Sequence, residues 1–148
     1  MENIIEIKNL NKSFNEVKAV QNLSIKVKKG QLYAFLGLNG AGKSTTISIM
    51  CGHLKKDSGK VFINGEDLDE NLDKIKNTLG VVFQFSCLDK PLTVKENLTF
   101  RAKLYGLTDF EIKKRLDELD KLINIKPLFN KVFEKLSGGE KRRVDIAR

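Results

Sequence analysis

Only two cysteines, Cys51 and Cys87, and one histidine, His53, occur in the 148 residues. Two thiols make neither a disulfide framework nor a metal-ligand cluster, and the simplest compartment for such a chain is the reducing cytosol. His53 follows Gly52 where a helix-end turn is expected and belongs to no motif, so it reads as structural. Long apolar runs are missing as well. The longest resemble Leu32 to Leu36, far short of the roughly 20 residues that cross a bilayer. Met1 to Lys12 carries Glu2 and Glu6 and no continuous apolar stretch, so a secretory signal is not expected there. No internal repeat, low-complexity tract or long linker interrupts the chain.

The composition, 41% apolar and 31% charged, is that of a soluble globular protein long enough for one domain with a real core. The formal net charge of +8 raises the question of nucleic acid or an anionic membrane surface. The lysines are scattered, however, and many sit near acids, as Lys113-Lys114 does before Asp117-Glu118. No base-reading signature appears, nor a basic patch interleaved with aromatics. The charge reads as a lysine-rich solvated surface, and no nucleic-acid partner is expected.

Hydrophobic periodicity divides the chain. Ile5, Ile7 and the step to Leu10 alternate, as do Leu23, Ile25 and Val27, which predicts half-buried strands. After a turn at Lys28-Lys29-Gly30, the continuous run Leu32 to Leu36 predicts a strand buried on both faces. It leads into a glycine-rich loop, Gly37 to Gly42, and an apolar helix from Thr45 to Cys51. Val61-Phe62-Ile63 precedes Asn64-Gly65, a hairpin turn signal. Val81-Val82-Phe83 predicts a second buried strand, and the whole order predicts an α/β core. From Thr93 the pattern becomes helical. Thr93 with Glu96, and Thr108 with Glu111, have capping-box spacing, and Gly106 sits where a helix would end. Ile112, Leu116, Leu119 and Ile123 form one apolar stripe, closed by Pro127. The predicted parts are an α/β segment over 1–84, a helical segment over 85–136, and a helix opening within 137–148.

Gly37-Leu38-Asn39-Gly40-Ala41-Gly42-Lys43-Ser44 fits G-x-x-x-x-G-K-[ST] between a predicted strand and a helix start, the context a phosphate-binding loop requires. Glycines let successive N–H groups turn inward around a phosphate chain, and the helix N-terminus adds its positive dipole end. Lys43 is suited to the β- and γ-phosphates, and the Ser44 hydroxyl to Mg²⁺. A merely Gly-rich turn with a solvated lysine is the weaker reading. A second glycine motif, Leu136-Ser137-Gly138-Gly139-Glu140, opens the last helix. Ser137 and Glu140 have capping-box spacing, yet two glycines weaken a helix start by up to about 1 kcal/mol each relative to alanine. By itself the motif is either a structural cap or an anion site approached closely from outside.

With both motifs in place, the chain resembles the ATP-binding subunit of ABC transporters along essentially its whole length. The family signature L-S-G-G-Q is here Leu136-Ser137-Gly138-Gly139-Glu140, a glutamate replacing the glutamine and adding a negative charge. The resemblance implies ATP and Mg²⁺ as cofactors. Phe14, in Lys12-Ser13-Phe14, matches the aromatic that stacks on adenine; otherwise it would be a buried strand-end residue. Gln84 matches the glutamine that joins the core to the helical subdomain and reaches Mg²⁺ and the attacking water. Gly37 to Thr45 surround the phosphates. Ser137, Gly138, Gly139 and Glu140 serve the nucleotide of a second subunit, paired head to tail. Asp57 to Val61 with Asn64 to Asp67 resembles the family's hairpin after the phosphate loop, without its usual proline.

The resemblance also implies a subunit at the cytoplasmic face of the membrane whose helical part, near 85–105, meets transmembrane permease subunits. Leu88 to Gly106 resembles the bacterial drug- and polysaccharide-exporter branch. The last helix runs to Arg148 without a glycine or proline stop, so the chain is expected to end inside it. It then lacks the family's downstream Mg²⁺-supporting Asp, catalytic Glu and switch His. Such a chain is expected to bind ATP, to hydrolyse it poorly, and to leave apolar core surface uncovered. Two other functions fit the same motifs: a translation- or DNA-associated ABC ATPase, and a non-catalytic nucleotide-binding fragment.

Overall fold

The computed structural model describes residues 2–148, which divide into two compact units at Val81–Val82. The first unit is built on an antiparallel hairpin, β1 (Asn3–Phe14) and β2 (Val17–Lys28), turned at Asn15 with φ 52°. β3 (Ser58–Ile63) pairs with the other edge of β1, and the short β4 (Glu66–Asp67) pairs with β3, giving the order β2-β1-β3-β4. The turn between β3 and β4 is the expected Asn64-Gly65, both residues at positive φ, as a type I′ turn requires. The alternating residues behave as predicted: Ile7, Leu10, Ile25 and Val27 are buried, with Val61 and Ile63 from β3. Helix α1 (Lys43–Met50) lays Ile49 into this core, and α2 (Leu72–Lys76) adds Ile75.

Two expected strands are not formed. Leu32–Leu36 and Val81–Phe83 join no sheet among the described residues, and the side chains of Leu32 and Leu36 are 96% and 90% exposed. An apolar run states only that a segment would be stable between two covered faces. A strand exists through hydrogen bonds to a neighbour, and neither segment has one in the sheet described. Helix α1 also starts two residues before the expected Thr45, with Gly42 as its N-cap.

The second unit is helical: α3 (Val94–Leu104), α4 (Asp109–Ile123) and α5 (Gly138–Ala147), with 3₁₀ turns at Lys126–Leu128 and Phe133–Lys135. The capping boxes of α3 and α4 form at Thr93–Glu96 and Thr108–Glu111. Gly106, at φ 78°, ends α3, where the Leu107 N–H donates back to the Ala102 carbonyl. α4 stops at Asn124, at φ 49°, three residues before Pro127, which lies in the first 3₁₀ turn. Asparagine tolerates the left-handed conformation that ends a helix, so the proline is not what closes it. The predicted stripe faces inward: Ile112 and Leu116 are buried and Leu119 and Ile123 half-buried, around a core completed by Leu98, Phe133 and Val144.

Candidate functional site

Gly37 to Gly42 folds into a loop at the N-terminus of α1, with Gly40 at φ 85° and Gly42 at φ 78°. The two glycines are required for different reasons. A Cβ on Gly40 would meet nothing within 4 Å, so only its backbone angle calls for glycine. A Cβ on Gly42 would lie 2.3 Å from the Ala19 carbonyl oxygen and 3.1 Å from Val20 Cγ2, because the loop ends pressed against β2. Buried Thr46 fixes the same end, donating from its hydroxyl to the Gly42 carbonyl at 2.9 Å.

Lys43 leaves the first turn of α1 and folds back over the loop. Its ammonium donates to the Gly37 carbonyl at 2.7 Å and the Leu38 carbonyl at 2.6 Å. The charge is thus held where the loop curves, beside a helix N-terminus whose leading N–H groups have no intrahelical acceptor. Asn39 and Ala41 are exposed on the rim, as is Ser44, and Thr45 is half-buried. A cleft of about 440 Å³ adjoins the loop, lined in part by Lys18, Val20, Phe35, Gly40, Ala41 and Lys43. Lysine, bare backbone and dipole together make a site for a polyanion.

Phe14 is not buried: its ring, 45% exposed, stands at the end of β1. It pairs with Val17, one residue before Lys18 of the cleft wall, and lies outside the cleft lining itself. The Lys12 ammonium lies 5.5 Å from the ring centroid. One carboxylate anchors this strand end. Asp57 accepts from the Ser13 N–H at 2.6 Å and from Lys12 Nζ at 2.7 Å, and these bonds, Lys12's first, hold its carboxyl below the usual range. Pattern reading did not reveal that anchor, since Asp57 is 44 residues from Ser13.

In the second unit, Gln84 is exposed at a bend between Phe83 and Ser86. Ser137 caps α5: its hydroxyl accepts from the Glu140 N–H at 3.3 Å, and a Glu140 carboxylate oxygen accepts from the Ser137 N–H at 2.8 Å. Gly138 and Gly139 have φ values outside the positive region, and a Cβ on either would meet nothing within 4 Å. Neither backbone strain nor packing within this chain requires glycine there.

The second carboxylate oxygen of Glu140 accepts from Lys131 Nζ at 2.8 Å, a partner the sequence gave no sign of. Lys131, followed by the Ser137 amide and hydroxyl, pulls the Glu140 carboxyl down from 4.5 to about 2. A carboxylate depressed in the fold favours folding fully above pH 4.5, and its contribution is lost as pH falls towards 2. Carbon-detected carboxyl titration is expected to find Glu140 ionised down to about pH 2, with the midpoint raised in Lys131→Met. An unshifted midpoint in the variant would show that the ammonium is not the cause.

No group of three or more His, Cys, Asp or Glu poised for a metal occurs among the described residues, and no helix among them is long and apolar enough to cross a membrane. A model of a family described as ABC transporter matches residues 20–148. The linearmycin resistance ATP-binding protein LnrL of Bacillus subtilis is 38% identical over 97% of this chain and 46% of its own length. The bacitracin transport ATP-binding protein BcrA of Bacillus licheniformis is 36% identical over 100% and 47% respectively. The chain thus spans less than half the length of these two relatives. Among solved structures, cbiO1 from Clostridium perfringens, part of the ABC transporter complex cbiONQ, superposes with a TM-score of 0.89 at 31% identity. That superposition covers 99% of this chain and 61% of cbiO1.

Proposed function

The chain belongs to the ABC transporter family, and from that premise we propose that it binds Mg-ATP as part of a transporter's ATP-binding subunit, driving transport through partner membrane subunits. The observation that carries this reading is the phosphate loop, with Lys43 drawn over Gly37 and Leu38 at the N-terminus of α1. The triphosphate lies along the loop backbone from Gly37 to Thr45, with the Lys43 ammonium on its β- and γ-oxygens. Adenine stacks on the exposed ring of Phe14.

Mg²⁺ suits the residues present. The Ser44 hydroxyl is an oxygen donor on the turn that carries Lys43, and it makes no hydrogen bond among the described residues. Gln84 offers an amide oxygen. When bound, the ion neutralises charge on the β- and γ-oxygens.

Ser137, Gly138, Gly139 and Glu140 serve a second subunit's nucleotide in a head-to-tail pair. The support is the side-chain-free surface of the two glycines, which the chain's own fold does not use. The subunit works at the cytoplasmic face of the membrane. A transport role is preferred over a translation- or DNA-associated one because the relatives named above are ATP-binding proteins of resistance and transport systems.

The test is calorimetric titration with Mg-ATP. Saturable binding is expected, weakened by about fivefold to a hundredfold in Phe14→Ala, the range for losing one base–aromatic stack. Undiminished binding in that variant would remove Phe14 from the site, and no binding by the folded chain would overturn the nucleotide reading.

A further inference from the structure

The stretch that carries Gln84 has little of its own to hold it. Residues 82–87 form no helix or strand, and Val82, Phe83 and Phe85 are 38%, 38% and 80% exposed. Arg142 and Asp145 of α5 and its C-cap Arg148 fasten it, beside Arg101 of α3, which donates to the Cys87 carbonyl at 2.6 Å. The Arg142 guanidinium donates to the Phe83 carbonyl at 2.7 Å. Asp145 accepts from the Ser86 hydroxyl at 2.5 Å, while that hydroxyl accepts from the Leu88 N–H at 3.2 Å. Arg148 donates to Cys87 Sγ at 2.7 Å and lies over the Phe83 ring, 5.7 Å from its centroid.

Arg142, Asp145 and Arg148 stand three residues apart, so one side of a single helix grips both flanks of Gln84. Two of these bonds are charge-assisted: the Arg142 guanidinium to a backbone carbonyl, and the Ser86 hydroxyl to the Asp145 carboxylate. The same helix begins at Ser137, and Arg142 lies four residues from Gly138, about 6 Å along the axis. A short stretch of hydrogen-bonded helix transmits displacement well, because it moves as a rigid element rather than bending.

We propose that Arg142 and Asp145 are positioning residues that lock the Gln84 segment to α5, making Gln84 and the Ser137–Gly139 amides one moving body. The inference rests on the nucleotide reading above, in which Gln84 attends one nucleotide and the start of α5 another. Any shift of Gln84 on nucleotide binding is then delivered to Gly138 and Gly139 through the Arg142–Phe83 and Asp145–Ser86 bonds. Neither residue touches nucleotide. They act through the segment they hold.

The test uses the full chain, labelled with ¹⁵N, with and without Mg-ATP, and the variants Arg142→Met, Arg142→Lys, Asp145→Ala and Asp145→Asn. In the unaltered chain Mg-ATP is expected to shift the Gly138 and Gly139 amide signals. Arg142→Met and Asp145→Ala are expected to shrink that shift at least threefold and to speed amide exchange over residues 84–87 by about tenfold, the scale for losing one charge-assisted bond. Exchange at Val144 should not change. Arg142→Lys and Asp145→Asn keep a donor and an acceptor and are expected to retain most of the response, which also covers the case where a harsher variant unfolds. Undiminished shifts in nucleotide-bound Met and Ala variants, or no shift in the nucleotide-bound parent, overturn the inference alone. Failure of the parent to bind Mg-ATP by calorimetry removes the nucleotide reading, and this inference with it.

Discussion

Lys43→Ala is expected to weaken Mg-ATP binding by about a hundredfold or more while leaving the melting temperature nearly unchanged. In the free chain the ammonium bonds to two carbonyls on an exposed loop, where water replaces it at little cost. Against a triphosphate the same ammonium makes charge-assisted bonds to oxygens that carry full negative charge. Bonds to charged groups contribute roughly 1.5–3 kcal/mol, so losing one or two gives a loss on the order of 3 kcal/mol. Calorimetry and thermal melts of the same samples separate the two effects. A loss of only a few fold would mean that the loop backbone and helix dipole hold the nucleotide without the lysine.

Gly42→Ala is expected to act on the fold itself, lowering the stability of the first unit by about 2–5 kcal/mol. Two costs add. The left-handed backbone, at φ 78°, costs a non-glycine residue about 1–2 kcal/mol. The new methyl carbon would sit 2.3 Å from the Ala19 carbonyl oxygen, and forcing apart such packing costs typically 1–3 kcal/mol. A rigid β2 backbone cannot give way as a side-chain tip could. Gly40→Ala is the internal comparison. It shares the positive φ but has open space around it, so only the first cost, about 1–2 kcal/mol, is expected. Urea unfolding of both variants checks the difference. Equal losses would show that φ alone decides and that contact with β2 does not matter.

What could be read from the sequence was local. The phosphate loop, the three capping boxes and the Asn64-Gly65 turn are each defined within a few residues, and their geometry depends on neighbours along the chain. The apolar runs Leu32–Leu36 and Val81–Phe83 misled for the opposite reason. Hydrophobicity says how a segment would be stable, whereas a strand depends on a neighbour that composition does not supply. The supports of the candidate site were hidden for a related reason. Arg142 reaches Phe83 across 59 positions, and Asp57 reaches Ser13 across 44. No periodicity encodes such a pair. Lys131 was closer to view, nine residues before Glu140, but a 3₁₀ turn between them brings the ammonium to the carboxylate, and helical spacing does not predict that approach. Phe14 shows that family likeness and pattern can disagree: at a strand end it could have been buried, and it is exposed.

The two glycines that open α5 carry an implication for anyone improving this protein. Alanine at either position would stabilise the helix by roughly 0.5–1 kcal/mol, and the space around them accepts a methyl group without contact. A directed-evolution campaign that rewarded only thermal resistance or soluble yield would therefore drift towards alanine there and erase the motif, with nothing in its own readout to signal the loss. On the head-to-tail reading proposed above, the residues lost would be those that serve a second subunit, a surface that selection of the chain in isolation does not see.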